Sequence, residues 1–257
     1  MNYSPRTYQF SGVSTSVASY SQIPLNTLEQ ILSIRKLAFI DRKKWDIESY
    51  QGSAYEWDEY DDPDAFYIYA HVHERVTGCV RLRPSNKPTL MSGSLSFILP
   101  IDQPRPCSRY CWEATRFALS TDSFATGELT QANVDIRTAA LFLSMIKFAQ
   151  QQNIQLYEIV VDTMMEKILK RSGWTVDRRN MALGSKGEKI IYGTLPCTDK
   201  TYEEVLNKNA INRTLVYNHS HQACRSSGAL HKSLGIDQTL PNRNIPAKRS
   251  MHTELQL

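Results

Sequence analysis

No stretch of this 257-residue chain is apolar for long enough to cross a bilayer. The longest helical apolar patch, AALFLSMI at 139–146, falls far short of the roughly 20 residues a spanning helix needs. The first 24 residues carry one basic side chain, Arg6, and no hydrophobic segment, so no secretory signal is expected. The five cysteines (Cys79, Cys107, Cys111, Cys197, Cys224) include no CxxC pair. That scatter predicts free thiols in a reducing, cytoplasmic setting rather than a disulfide framework. Charge of one sign is also missing from the body. Residues 200–257 hold eight Lys/Arg and four Asp/Glu, which accounts for the whole net charge of +4. The first 199 residues are neutral, so the basic balance belongs to the tail and implies no nucleic-acid partner. There is no internal repeat, and no glycine-rich pyrophosphate loop precedes a helix in the body.

With 41% hydrophobic and 22% charged residues, the chain has the make-up of one sizeable globular core with appended tails. Residues 1–24 are rich in Ser and Tyr, and at most a short strand fits there. Apolar spacing predicts an amphipathic helix from Leu25 to about Lys43. Strands are expected at FYIYAHV (66–72), TGCVRLR (77–83), WEATRFALS (112–120), QLYEIVV (155–161) and KIIYGTL (189–195). Helices are expected at 129–153 and 163–173, the latter ending at Gly173. Strands alternating with helices indicate an α/β or α+β sheet flanked by helices.

The segment EWDEYDDPDAF places six carboxylates between Glu56 and Asp64. As a calcium loop counted from Asp58 it lacks both the turn glycine and the terminal glutamate, so that reading fails. A solvated acidic loop stays open, as does the acidic half of a charged cleft. Arg35 lies on the first predicted helix, Arg81 in an apolar strand, and Glu113 and Arg116 in WEATRF. A strand arginine is costly to bury unpaired, and three arginines with Asp58, Asp61 and Glu113 suit a mutual network. Such a network either clamps helix to sheet or lines a catalytic site. Residues 113 and 116 face opposite sides of a regular strand. Either a bulge realigns them or they serve different surfaces. His71/His73 and His219/His221 lack an apparent third ligand, so no metal site is expected.

Taken in order, Arg35-x3-Phe39-x5-Trp45, Asp58-x2-Asp61, Arg81 in RLRP, Phe97 and Glu113-x2-Arg116 in WEATRF resemble the LuxI-type acyl-homoserine-lactone synthases. The likeness covers roughly residues 25–196. It implies a GNAT-like three-layer sandwich with a mixed, V-splayed sheet, with residues 1–24 an N-terminal extension, 25–212 the synthase domain and 213–257 a basic, loosely ordered tail. It also implies a reaction in which an acyl chain passes from acyl-carrier protein, or acyl-coenzyme A, to the amine of S-adenosylmethionine. Lactonisation then releases methylthioadenosine and a quorum-sensing signal. No cofactor is implied, since S-adenosylmethionine is a substrate.

By resemblance Glu113 is the candidate base, with Arg116, Asp58, Asp61 and Arg81 the catalytic charged set. Arg35, Phe39, Trp45, Phe97 and Thr115 are the candidate S-adenosylmethionine contacts: aromatic faces suit a sulfonium and an arginine suits a carboxylate. Lys167, Lys170 and Arg171 share one helix face and offer either a docking patch for an acidic carrier protein or a solvated surface. The chain departs from the family at both ends, in a longer gap from Trp45 to Asp58, and at Tyr157-Glu158. There, makers of 3-oxo-acyl products place a threonine, so a 3-oxo product is less expected. An acyl-coenzyme A transferase acting on another amine, and a non-catalytic synthase-like module, are the competing readings.

Overall fold

The computed structural model describes residues 6–122 and 128–211. The tail expected from residue 213, with His219 and His221, lies outside them. Eight strands form one sheet: β1 (Arg6–Phe10), β2 (Val13–Ser19), β3 (Phe66–Val72), β4 (Arg75–Pro84), β5 (Cys111–Leu119), β6 (Leu156–Asp162), β7 (Asp177–Leu183) and β8 (Lys189–Pro196). Their order is β1-β2-β3-β4-β5-β6-β8-β7. Every neighbouring pair is antiparallel except β5–β6. That parallel pair is joined only from Cys111 to Glu113 and from Leu156 to Glu158, after which the two strands part. The mixed, splayed sheet expected from the resemblance is the one observed.

Helices cover both faces. α1 (Leu25–Arg35) packs on β4 and β5, while α2 (Ile136–Gln152) lies across β1 to β4 on the other side, backed by α4 (Asp199–Asn209). α3 (Thr163–Arg171) follows β6. Ala, Leu, Phe and Met fill α2 all round, because sheet and α4 enclose it. The strand pleat sorts side chains cleanly. Ile68, Ala70, Val80, Leu82 and Ala114 join the α2 core, while Tyr67, Cys79 and Ala118 join the α1 core. Arg81 and Arg83 of β4 therefore point toward the α1 side, into the 45–65 loop region.

Several elements differ from expectation for identifiable reasons. Residues 6–19 form two strands rather than at most one short one. Phe10 pairs with Val13 across Ser11-Gly12, both at positive φ (45° and 86°), which is the two-residue hairpin geometry whose twist matches the strands. The helix predicted at 129–153 begins only at Ile136, because the Asp135 carboxylate accepts the Arg137 amide and so caps it there. It ends as expected at Asn153, held in the left-handed conformation. The first helix changes to a π-helical turn over Lys36–Arg42. β7 was not expected: its side chains are almost all exposed, so it carries no alternating apolar signal, and it is an edge strand marked by Arg178 and Arg179. α4 is a further element beyond those expected.

Candidate functional site

In the acidic segment alternate residues turn inward. Glu56, Asp58 and Tyr60 are buried, while Glu59 is exposed. Glu56 is thereby placed at the centre of the site, although only Asp58 and Asp61 had been singled out. Arg35, at the end of α1, binds Asp61 with both terminal nitrogens (2.7 and 2.9 Å) and Glu56 with Nε. Arg81 holds Asp58 through both terminal nitrogens and lies 3.1 Å from an Asp61 oxygen. Arg116 completes the ring, reaching Glu56 through Nε at 3.0 Å and Asp58 through Nη2 at 2.8 Å. The Tyr67 hydroxyl donates to Asp61 at 2.6 Å. Three arginines and three carboxylates thus share one buried network, as charges removed from water require.

Arg116 can join because β5 bulges. Cys79 pairs with Ala118 and Arg81 with Thr115, so Arg116 and Phe117 stand together opposite Val80. Arg116 takes φ 58°, a left-handed conformation uncommon for its residue type. The bulge turns Arg116 to the face that already carries Arg81, Glu113 and Thr115. Of the two arrangements the 113/116 spacing left open, the structure has realignment.

Burial opposes ionisation of Asp61, but the Arg35 and Arg81 guanidiniums outweigh it and hold its carboxyl well below the usual range. Asp58 is lowered against the same burial penalty by Arg81 and Arg116. Glu113 differs in kind. Among the described residues it forms no ion pair. Its two carboxylate oxygens accept backbone amides of Leu90 (3.3 Å) and Met91 (2.8 Å), in the short turn 90–92. Burial pushes its pKa up. Two buried polar atoms, Arg81 Nε and Thr115 Oγ1, have no hydrogen-bond partner among the described residues, and their residues pair across β4 and β5.

Phe39 and Trp45 stack with centroids 5.3 Å apart and planes within 3°. The Arg116 guanidinium lies 5.9 Å from the Phe39 ring, and Lys43 lies 4.4 Å from the ring of Trp45. Phe97, on the 96–98 turn, is 60% exposed and stands outside this group. Lys167, Lys170 and Arg171 are exposed on α3, Arg171 donating to the Asn133 carbonyl at 3.1 Å.

Sequence reasoning missed more than Glu56. Asp62 is bound by two nitrogens of Arg83, which also donates to the Tyr60 carbonyl at 2.7 Å. Beside Glu113 lies a second buried carboxylate, Glu158, its register partner on β6. Arg105 Nε contacts both its oxygens (2.8 and 3.0 Å), while Ser85 and the Tyr192 hydroxyl donate to it at 3.1 and 2.7 Å. The available signal was Glu158 itself, an acid inside an otherwise apolar strand. Among the described residues no group of three or more His, Cys, Asp or Glu is arranged to hold a metal ion.

A family model described as Autoinducer synthase matches residues 19–205 of this chain. An acyl-homoserine-lactone synthase of Vibrio anguillarum is 29% identical over 177 residues, covering 68% of this chain and 86% of that protein. One of Yersinia enterocolitica is 28% identical over 195 residues, covering 74% and 86%. In fold, the chain is similar to the solved structure of the AHL synthase LasI (TM-score 0.66, 19% identity, 76% of this chain and 95% of that one). A CoA-dependent acyl-homoserine lactone synthase, BjaI, solved with MTA, is equally similar (TM-score 0.66, 19% identity, 79% and 90%).

Proposed function

The chain belongs to the autoinducer synthase family and is an acyltransferase, an acyl-homoserine-lactone synthase; from that premise we propose how its residues divide the work. An acyl chain passes from an acyl-carrier-protein thioester to the α-amine of S-adenosylmethionine. The α-ammonium gives its proton to Glu113, the freed amine attacks the thioester carbon, and the thiol leaves as the amide forms. The methionyl carboxylate then attacks its own γ-carbon. The carbon–sulfur bond breaks toward the sulfonium, which leaves as neutral methylthioadenosine while the lactone closes.

The observation that carries this reading is the division among the acids. Glu56, Asp58 and Asp61 are gripped by arginines, which lower the pKa of the two aspartates, whereas Glu113 is held by backbone amides with a raised pKa. A carboxylate tuned upward takes a proton more readily, as a general base should. The ring of ion pairs serves as a rigid, charge-balanced wall. Arg35 has Nε and both terminal nitrogens committed within it. Arg116, 13% exposed at its side chain, is the arginine that an incoming carboxylate meets. The Phe39–Trp45 stack offers an aromatic face for the sulfonium.

The test is Glu113→Gln in the purified enzyme with S-adenosylmethionine and matched acyl-carrier-protein and acyl-coenzyme A donors. Thiol release should fall about 10²–10⁴-fold with the fold intact. Unchanged turnover removes Glu113 from the reaction. A rate advantage for the coenzyme A thioester over its carrier-protein counterpart assigns the donor to that class instead.

A further inference from the structure

Glu113 does not sit alone in its pocket. Across the one parallel seam of the sheet its register partner is Glu158, and both side chains are buried on the same face. Two carboxylates so placed repel one another unless a cation answers the second. Arg105, from the segment between the 96–98 turn and β5, supplies it. The same guanidinium does more: its Nη2 lies 2.7 Å from Glu158 and 2.7 Å from the Thr89 hydroxyl. Thr89 caps the short turn 90–92, accepting at its own side chain while its amide donates to Ser92 Oγ at 2.8 Å. That turn carries the Leu90 and Met91 amides that hold Glu113.

We propose that the Arg105–Glu158 ion pair is the positioning device for the Glu113 base, locking the amide turn that orients it and setting the charge it feels. The inference rests on the reading of Glu113 as the base. Neither residue touches the reacting atoms; both act through Glu113. The charged and titratable groups facing Glu113 are Arg81 from β4, Glu158 from β6, Arg105 from the loop before β5, and Tyr60 from the acidic segment. Arg81 favours the ionised form of Glu113 and Glu158 opposes it. Arg105, the Ser85 hydroxyl and the Tyr192 hydroxyl all donate to the Glu158 carboxylate in this pocket. Net charge near the base is therefore set by a pair whose members can be removed one at a time.

The experiment is the pH–rate profile of thiol release in the whole enzyme, with S-adenosylmethionine and the thioester donor that wild type turns over. Glu158→Gln leaves Arg105 uncompensated, which favours ionised Glu113, so the acid limb should move to lower pH. Arg105→Met leaves Glu158 uncompensated, so the limb should move to higher pH, with kcat reduced because the turn is loosened. Opposite shifts are something a merely structural pair would not produce. Glu158→Gln with an unmoved acid limb overturns the proposal, provided Glu113→Gln is inactive. An active Glu113→Gln overturns the base assignment itself, which distinguishes the two failures. Should either single variant fail to fold, the double variant R105M/E158Q carries no lone buried charge. It should keep the limb near its wild-type position but lose kcat about tenfold or more, the scale expected for a misplaced base. Unchanged kcat in the double variant overturns the proposal.

Discussion

Arg35 and Asp61 meet end to end, two guanidinium nitrogens on two carboxylate oxygens at 2.7 and 2.9 Å, tying the last residue of α1 to the loop before β3. Both are buried, and Glu56 takes the remaining edge of the guanidinium. This pair decides where the acidic loop sits, because a misplaced loop strands a cation in the core.

Asp61→Asn should therefore destabilise the fold by about 3–5 kcal/mol, the cost of removing one partner from a buried ion pair. Chemical denaturation reads it. A loss below about 1 kcal/mol, the value of a surface pair, would show that the network does not depend on Asp61.

The same carboxylates set the acid stability. Asp58 and Asp61 have folded pKa values below their unfolded ones, near 3.9. Their contribution is fully present above the unfolded value and is lost as pH falls through the folded values. Glu113 has the opposite sign, since its folded pKa is raised, so it cannot cause acid loss. The melting temperature should fall steeply below about pH 4, and Asp61→Asn should flatten that slope. Thermal melts from pH 2 to 7 measure it.

Arg116 combines an ion-pairing side chain with an unfavourable backbone. Arg116→Ala and Arg116→Gly both remove its ion pairs to Glu56 and Asp58, and both should abolish acyl transfer. The glycine variant should nonetheless be more stable than the alanine one by about 1–2 kcal/mol, because φ 58° costs an L-residue and not glycine. Equal stability would mean that the bulge relaxes when the ion pairs go.

Exposed Lys167 and Lys170 offer charge to an acidic partner. Their reversal in a K167E/K170E variant should raise KM for an acyl-carrier-protein donor several-fold at low salt and leave kcat unchanged, with the effect fading as salt rises. Steady-state kinetics at two ionic strengths check this. An unchanged KM would make the face ordinary solvated surface.

Much of this was legible along the chain. The strands β3, β4, β5, β6 and β8 announced themselves through β-branched and aromatic runs between turns, and α2 and α3 through helical spacing. Arg35, Arg81 and Arg116 with Asp58 and Asp61 could be grouped because a buried charge demands a partner. The Ser11-Gly12 hairpin was legible too, in two turn residues between alternating strands, but its polar composition masked it. β7 was not, since an exposed edge strand bears no apolar period.

Sequence by itself determined that the strand arginines and the acidic loop would meet in a charged network, because they have few other ways to coexist in one core. Partner choice was a tertiary matter. Glu56 rather than Glu59 turned inward, Asp62 went to Arg83, and Glu158 came beside Glu113 only once β5 and β6 were paired in register. The bulge that brought Arg116 onto the face of Arg81 lies in the pairing of two strands. Side-chain period dictates which face a residue takes within its own strand. Register, which exists only between strands, decides whom it meets there.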